Sequence, residues 1–498
     1  MIPPQQVGVA ALLRCITGAD PIETHISAVF VGRDQALKLK KAVALGFLDF
    51  TGTAAREHFA RRELALNRRF APGLYREVVP VTRQADGGLA LGGTGEVVDW
   101  VLRMAPLPQE DFLDAVAARG GLTPALLDGV ADAVATMHAA LPPVPGVDAP
   151  AALAAVIAGN HTAALAAGLP PDRVAACSAA AEAWCARLAP RLAARAAEGR
   201  VRRCHGDLHL GNFCLWQGRP TPFDALEFDE ALATVDTGYD FAFLLMDLER
   251  RASRAAANRV LNRYVARSGD AGLTAALPLW LSLRAMVRAH VEAARKRGSD
   301  AGMSYLAMAE AFLRPPPAQV VAIGGLQGTG KSTLARALAP ELGAAPGALI
   351  LRSDEIRKRH HGASPEDRLP AAAYSAEASA AVFHEIFAQT AAVAGTGHAA
   401  IADATFLSPA DRAGIAAAAA TAGVPFTGLW LSAPAEVLRA RVAARQAAQR
   451  DASDATLAVL ETALARDTGP VDWILLDATA DPVPAARAAL RLRPDASC

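Results

Sequence analysis

Apolar and polar residues alternate with a period of two in several short runs early in the chain. Ala28-Val-Phe-Val31 and Ala36-Leu-Lys-Leu-Lys40 are separated by Gly32-Arg-Asp34, which predicts a hairpin. Val78 to Val81 and Val97 to Leu102 continue the pattern, with turns at Gly87-Gly88 and Gly92-Gly93. A helical stretch, Ala54 to Arg69, interrupts these strands, and residues 122–200 are then almost wholly helical and alanine-rich. The pattern predicts a small β-rich lobe followed by a larger helical lobe. A further helical region, Leu273 to Leu313, stops at Arg314-Pro-Pro-Pro-Ala318, where three prolines cannot continue a helix. We place a domain boundary there, dividing the chain into 1–314 and 315–498. Beyond it, Gln319 to Ile323, Ala348 to Leu351, His398 to Asp403 and Val424 to Leu431 are short apolar runs that read as buried strands between helices.

Composition narrows the picture. A chain of 498 residues suits two to four domains. Lys+Arg and Asp+Glu are both 50, which favours neither a nucleic-acid coat nor a polybasic membrane anchor. Hydrophobic residues make up 52 %, but much of this is alanine, which favours helix while adding little apolar area. Of the basic residues only six are lysine, so a lysine where chemistry wants one carries extra weight. The cysteines, Cys15, Cys177, Cys185, Cys204, Cys214 and Cys498, form no CxxC pair and read as free thiols of a reducing cytosol. Met1 to Arg14 lacks the basic and apolar regions of a signal peptide. The longest charge-free stretch, Ala413 to Ala435, contains Pro425 and reads as helix, turn and strand rather than a membrane span. A cytoplasmic protein without a membrane partner is expected.

Two constellations carry chemistry. In Cys204-His-Gly-Asp-Leu-His-Leu-Gly-Asn-Phe213, His205, Asp207 and Asn212 fit H-x-D-x-x-x-x-N, the catalytic-loop pattern of protein-kinase-like enzymes. Phosphoryl transfer needs a carboxylate for the hydroxyl proton, oxygen ligands for magnesium and a cation on the phosphates. Asp207 can supply the first, Asn212 and Asp224 the second, and Lys38 the third. Glu63, on the helix after Lys38, is placed to pair with that lysine, whereas Lys40 and Lys41 read as solvated or phosphate-steering. His-Gly-Asp alone would be an ordinary turn. The β-then-α layout and the flanking Lys38 and Asp224 give it its weight.

On these residues, roughly 20–310 resembles the aminoglycoside/choline phosphotransferase branch of the protein-kinase-like fold. The resemblance implies an α+β two-lobed domain and makes Asp240, in Gly-Tyr-Asp-Phe-Ala-Phe, a helix aspartate that anchors the catalytic loop. No GxGxxG loop precedes Lys38, so Glu23-Thr-His-Ile-Ser27 would have to cover the phosphates. Asp224 is also not followed by Phe-Gly. Both departures point to a small-molecule kinase rather than a protein kinase.

Gly325-Leu-Gln-Gly-Thr-Gly-Lys-Ser332 matches G-x-x-x-x-G-K-[ST], between a predicted strand and a predicted helix, Lys331 to Ala339. The backbone of Gly325, Gly328, Thr329 and Gly330 would wrap a phosphate, with Thr333 on the helix start. Lys331 would reach the terminal phosphates and Ser332 would bind magnesium. Asp354, read at the tip of the second strand, would activate an acceptor hydroxyl, and Arg357 would hold an anionic group. Asp403 ends another strand as a magnesium-water ligand. The arginine-rich helix Leu438 to Arg445, with Arg445 and Arg450, suits a lid. Roughly residues 318–498 resemble the P-loop kinases of the zeta-toxin, polynucleotide-kinase and gluconate-kinase group. This resemblance implies an α/β P-loop NTPase domain with a parallel sheet. The order of the two halves is similar to proteins described as bifunctional aminoglycoside phosphotransferase/ATP-binding proteins.

Together these features predict a two-site phosphotransferase using ATP and Mg2+, with small-molecule hydroxyl acceptors. The rival readings are one kinase regulated by a nucleotide-binding P-loop module, and a toxin-like or nucleic-acid-end kinase. Zero formal charge and 5 % aromatics disfavour nucleic acid. Neither acceptor nor oligomeric state is legible.

Overall fold

The structure, a computed structural model, describes residues 1–45, 48–296, 299–448 and 456–492. The chain forms two compact units: Met1–Ala152 with Pro190–Asp247, and Leu153–Ala189 with Leu248–Cys498.

In the first unit, helix α1 (Val7–Thr17) precedes strands β1 (Ile22–Glu23), β2 (Ser27–Val31) and β3 (Ala36–Lys40). Helix α2 (Thr53–Arg68) follows, then β4 (Tyr75–Arg83), β5 (Leu89–Leu91) and β6 (Glu96–Met104). The strands form one antiparallel sheet in the order β1-β2-β3-β6-β4-β5. Period-two alternation sorts its faces. Leu37 and Leu39 of β3 pack with Phe30, Val81, Val101 and α1's Leu13. Lys38 and Lys40 therefore point to the opposite face, where their ammonium groups meet Glu63 of α2. Helix α3 (Pro124–Ala140), capped by Thr123 Oγ1, begins the helical part. The predicted catalytic loop follows a strand, Val201–Arg203, that pairs with Thr234–Asp236. It leads into the hairpin β7 (Phe213–Trp216) and β8 (Arg219–Pro222), and α4 (Thr237–Arg251) comes after it.

The second unit contains α5 (Arg254–Ser268), α6 (Leu277–Arg295) and α7 (Asp300–Phe312), then an α/β layer structure. Its elements are β9 (Val320–Gly325), α8 (Lys331–Leu338), β10 (Leu349–Arg352), α9 (Ser353–His360), α10 (Ala376–Gly395), β11 (Ala400–Asp403) and α11 (Pro409–Ala422). They continue with β12 (Phe426–Ser432), α12 (Ala435–Ala448), α13 (Leu457–Leu464), β13 (Ile474–Asp477) and α14 (Val483–Ala489). All five strands are parallel, ordered β10-β11-β9-β12-β13. Both faces are covered. Val321, Ile323, Leu429 and Leu431 face α8, while Ala322, Ala402 and Trp430 face α10 and α11. Strand order reverses on either side of β9, so the crevice at its carboxyl end is where this architecture places ligands.

Strand β10 lies at the sheet's edge, and α5 covers it. Asn262 Oδ1 accepts from Ile350 N at 2.6 Å, and its Nδ2 donates to Ala348 O at 3.2 Å. Asn258 Nδ2 donates to the same carbonyl at 3.1 Å. Side-chain amides thus replace a missing neighbouring strand. Helices α5 to α7, which the sequence assigns with the first half, group by contact with the P-loop half.

The stretch Ala413 to Ala435 divides as expected into helix, a left-handed turn at Gly423 and strand. Helix Ala149–Ala166 is long and apolar enough to cross a membrane by length and composition alone. Its apolarity is largely alanine, and Asn160 within it donates to Leu283 O at 3.2 Å.

Candidate functional site

The first site grows from β3. Lys38 Nζ donates to Glu63 Oε1 at 2.7 Å and to Asp224 Oδ1 at 2.6 Å. Burial favours the neutral amine, but Asp224 and Glu63 outweigh it and hold the lysine well above its ordinary pKa. Burial would likewise raise Glu63, yet Lys38 and Lys40 bring it down to about 2. The expected Lys38–Glu63 pair is present.

Lys40 and Lys41 are not solvated, contrary to expectation. Each is 2 % exposed. Lys40 pairs with Glu63 Oε2 at 2.8 Å and with Glu227, while Lys41 pairs with Glu23 at 2.6 Å and donates to Thr24 O. The reason is geometric: a two-residue step along β3 puts Lys40 on the same inward face as Lys38. Lys41 pins the 23–27 turn, the segment expected over the phosphates.

The loop His205 to Asn212 is held from below. Asp240, fully buried on α4, accepts from His205 N at 3.2 Å, Gly206 N at 2.8 Å and His138 Nε2 at 3.1 Å. Asp247 accepts from Leu210 N at 3.0 Å. His205 Nε2 donates to Phe223 O at 2.9 Å, and its Nδ1 accepts from Asp207 N at 3.3 Å, which fixes a neutral tautomer. Burial lowers the pKa of His205, consistent with that state. Cys204 brings its thiol near His138 and Asp240. Burial pushes that thiol well up, and it donates to Val235 O at 3.5 Å, so the trio is a hydrogen-bonded support under the loop.

Above that support, Asn212 Nδ2 donates to Asp207 Oδ2 at 2.9 Å and to Asp207 O at 2.8 Å. This leaves the Asn212 amide oxygen as its ligand atom. Asp224 lies beyond β8 with φ of 60°, a left-handed conformation that aspartate tolerates better than most residues. Its N–H donates to the Tyr75 hydroxyl at 2.9 Å. The half-exposed Asp224 carboxylate and the Asn212 amide oxygen offer hard oxygen ligands that suit Mg2+, and the half-exposed Asp207 carboxylate lies beside Asn212.

The second site lies at the carboxyl end of β9. Gly325 has φ of 133°, and a Cβ there would come within 2.4 Å of Leu431 O, so only glycine fits. Gly328 and Gly330 are also left-handed, at 86° and 89°. The loop curls over itself: Lys331 Nζ donates to Gly325 O at 2.9 Å and Leu326 O at 3.0 Å. Thr329 Oγ1 donates to Leu326 O at 2.8 Å, and Thr333 N donates to Gly330 O at 3.0 Å. Ser332 Oγ donates to Asp403 Oδ2 at 2.6 Å, bringing together the two residues expected at magnesium. Hydroxyl and carboxylate oxygens fit that ion.

Three placements refine the sequence reading. Strand β10 ends at Arg352, so Asp354 sits in the first turn of α9 rather than on the strand tip, because the helix starts at Ser353. The tip belongs to Arg352, unremarked in the sequence, whose Nε lies 3.3 Å from Asp403 Oδ2 and whose Nη1 donates to Glu355 at 3.0 Å. Burial raises Glu355 despite Arg352. Arg357, one turn after Asp354, donates to Ala373 O at 2.6 Å and lies over the Tyr374 ring at 4.8 Å. Its buried Nε has no hydrogen-bond partner among the described residues, and burial lowers its pKa. On α12, Arg441 reaches Ala478 O at 2.8 Å and Gly328 O at 3.5 Å, while Arg439 pairs with Glu461 at 2.6 Å. The side chain of Arg445 and all of Arg450 lie outside the described residues.

Two family models match the chain: the phosphotransferase enzyme family over residues 51–279 and the AAA domain over residues 320–470. The chain joins a phosphotransferase-family domain to a P-loop AAA-type domain. The phosphotransferase-family domain has the protein-kinase-like fold, the AAA-type domain has the parallel five-stranded sheet, and the protein is a phosphotransferase enzyme. An uncharacterized protein of Mycobacterium bovis is 28 % identical over 470 residues, spanning 91 % of this chain and 90 % of its own. One from Mycobacterium tuberculosis matches equally. Among solved structures, a choline/ethanolamine kinase family protein from Mesorhizobium loti is similar at TM-score 0.38 and 15 % identity, covering 62 % of this chain and 94 % of its own. A gluconokinase from Sinorhizobium meliloti is similar at TM-score 0.26 and 19 % identity, covering 35 % and 92 %.

Proposed function

We propose that this phosphotransferase has two ATP- and Mg2+-dependent sites, each passing the γ-phosphoryl group to a hydroxyl of a small molecule. Functionally the chain divides into 1–314 and 315–498. The supporting observation is that each half assembles its own cation for phosphate beside its own oxygen set for metal. Lys38 lies beside Asp224, and Lys331 on the glycine loop precedes Ser332, which is bonded to Asp403.

In the first site Asp207 accepts or orients the acceptor proton, Asn212 and Asp224 hold Mg2+, and Lys38, oriented by Glu63, takes the phosphates. In the second site the backbone from Gly325 to Gly330 and residues Lys331 to Thr333 hold the nucleotide. Ser332 and Asp403 hold the metal, Asp354 is the base, and Arg357 and Arg445 hold anionic groups. The metal ion, when bound, neutralises charge on the phosphate oxygens. The chain's own residues position donor and acceptor and move the hydroxyl proton. The described cysteines stand as thiols, which fits a cytoplasmic setting, and the zero formal charge favours small acceptors over nucleic acid.

Titration of the full chain with Mg2+ and a non-hydrolysable ATP analogue tests this. Two sites are expected, one removed by Lys38→Met and the other by Lys331→Ala. ADP release is then measured across hydroxylated metabolites with each site disabled in turn. A single nucleotide site, or an acceptor response from one half only, refutes the two-site reading.

A further inference from the structure

The buried charges around Lys38 form a chain that extends past the expected ion pair. It runs Asp224, Lys38, Glu63, Lys40, Glu227, each touching the next. Lys40, Glu63 and Glu227 are 2 %, 0 % and 5 % exposed, so their charges have little water to fall back on. Both oxygens of Glu63 are engaged, Oε1 by Lys38 at 2.7 Å and Oε2 by Lys40 at 2.8 Å. Both ends of the chain lie on one turn after β8. That turn is also held by Ala225 N donating to Asn67 Oδ1 at 2.9 Å and by Leu226 N donating to His205 O at 2.9 Å. Asn67 in turn donates to Glu63 O at 2.9 Å, so α2, β3 and the turn are tied together around Glu63.

We propose that Lys40 and Glu227 are positioning residues of the first site, holding Glu63 and the Asp224 turn in fixed relation so that Lys38 meets nucleotide phosphate from a preset place. The inference rests on reading that site as a nucleotide site. Lys38, Glu63, Lys40 and Glu227 are two ammonium and two carboxylate groups and balance each other. Asp224 adds one uncompensated negative charge at the half-exposed end, where a cation suits it. When Lys38 is shared with a phosphate, Glu63 would be left buried with half a partner. Lys40 keeps it neutralised throughout. Without Lys40, the carboxylate competes with the ligand for Lys38 and its plane is no longer fixed from both sides.

Full-length protein carrying Lys331→Ala, which leaves one nucleotide site, is titrated with Mg2+ and a non-hydrolysable ATP analogue while its Tm is recorded. Lys40→Met is expected to lower both Tm and affinity, because it strands Glu227. Lys40→Met/Glu227→Gln removes that stranded charge and should recover most of the Tm. Its affinity should stay on the order of tenfold or more below the parent, the scale of one charge-assisted hydrogen bond. Lys40→Arg should retain more affinity than Lys40→Met. Recovery of both Tm and affinity in the double variant shows a structural role only and overturns the inference. Unchanged binding in Lys38→Met overturns the nucleotide-site reading itself, and the inference with it.

Discussion

Asn262→Ala tests whether α5 is part of the P-loop sheet's structure. In the native protein Asn262 Oδ1 takes the N–H of Ile350 at 2.6 Å, and no other partner for that donor is seen on the edge side of β10 among the described residues. Ile350 is 8 % exposed, so water has poor access to an orphaned N–H. The Ala348 carbonyl, by contrast, keeps Asn258 at 3.1 Å when Asn262 is lost. The substitution therefore strands one donor and no acceptor, a cost of about 1–3 kcal/mol. For a unit of this size that lowers Tm by roughly 2–12 °C, taking about 2–4 °C per kcal/mol. Asn258→Ala strands neither group, since Asn262 still serves Ala348 O, and should cost less at this edge. The double variant strands both and should exceed the sum of the singles. The assay is thermal unfolding followed by circular dichroism, with the second nucleotide site as a folding readout. If Asn262→Ala melts with the parent and the double variant shows no excess, α5 does not cap β10. The same reasoning makes a fragment of residues 315–498 less soluble than one of residues 248–498, because only the longer one keeps the bare strand edge covered.

Four further outcomes are expected. Asp207→Asn in the Lys331→Ala background should leave nucleotide affinity intact while lowering transfer to an acceptor by about 10²–10⁴-fold, and undiminished ADP release would remove Asp207 as the base. Asp354→Asn in the Lys38→Met background should do the same at the second site, with calorimetric ATP affinity barely moved; a variant that keeps full turnover would shift weight to a regulatory module. Asp403→Asn should raise the Mg2+ concentration needed for half-maximal nucleotide binding at the second site, since Ser332 loses its carboxylate partner at 2.6 Å; an unchanged Mg2+ titration would place the metal elsewhere. Glu63 is held at about 2 in the folded state against an ordinary 4.5, so its stabilising contribution is complete above pH 4.5 and is lost as pH falls toward 2. Urea unfolding between those limits should show a slope that Glu63→Gln flattens, and equal slopes in both proteins would contradict the ion-pair account.

Legibility in the sequence followed the distance between cooperating residues. The glycine loop and the H-x-D-x-x-x-x-N loop are each contiguous, and their shapes are held by neighbours a few residues away, such as Lys331 against Gly325 O and His205 against Asp207 N. Lys38 and Glu63 were legible because a strand followed by a helix is a short-range layout. Lys40 was misread because solvation is a tertiary property. Its carboxylates come from residues 23 and 187 positions away, and nothing in Lys-Leu-Lys-Lys distinguishes an inward ammonium from an outward one. Arg352 was passed over for a similar reason: the helix begins one residue later, so the strand tip falls on the arginine instead of on Asp354. The Asn262–Ile350 contact spans 88 positions and joins a helix to a backbone group, a pairing with no sequence pattern at all.

In the proposed reading the two sites would meet the same demand, positive potential where phosphate must sit, by different physical means. In the second site the proposed supply is mainly backbone: Gly325, Gly328 and Gly330 have positive φ, α8 begins directly behind them, and Lys331 adds its ammonium from the same loop. The backbone share of that potential needs no carboxylate to balance it. In the first site the positive charge is a side chain, Lys38, on a sheet face otherwise shielded from water. Keeping an ammonium there requires counter-charges, and the counter-charges require their own partner, which is why Glu63 carries a second lysine and that lysine a second glutamate. A side-chain device is therefore spread over three elements and is open to disruption at each link. The second device is concentrated in eight consecutive residues, Gly325 to Ser332, and would fail where a glycine or Lys331 is replaced.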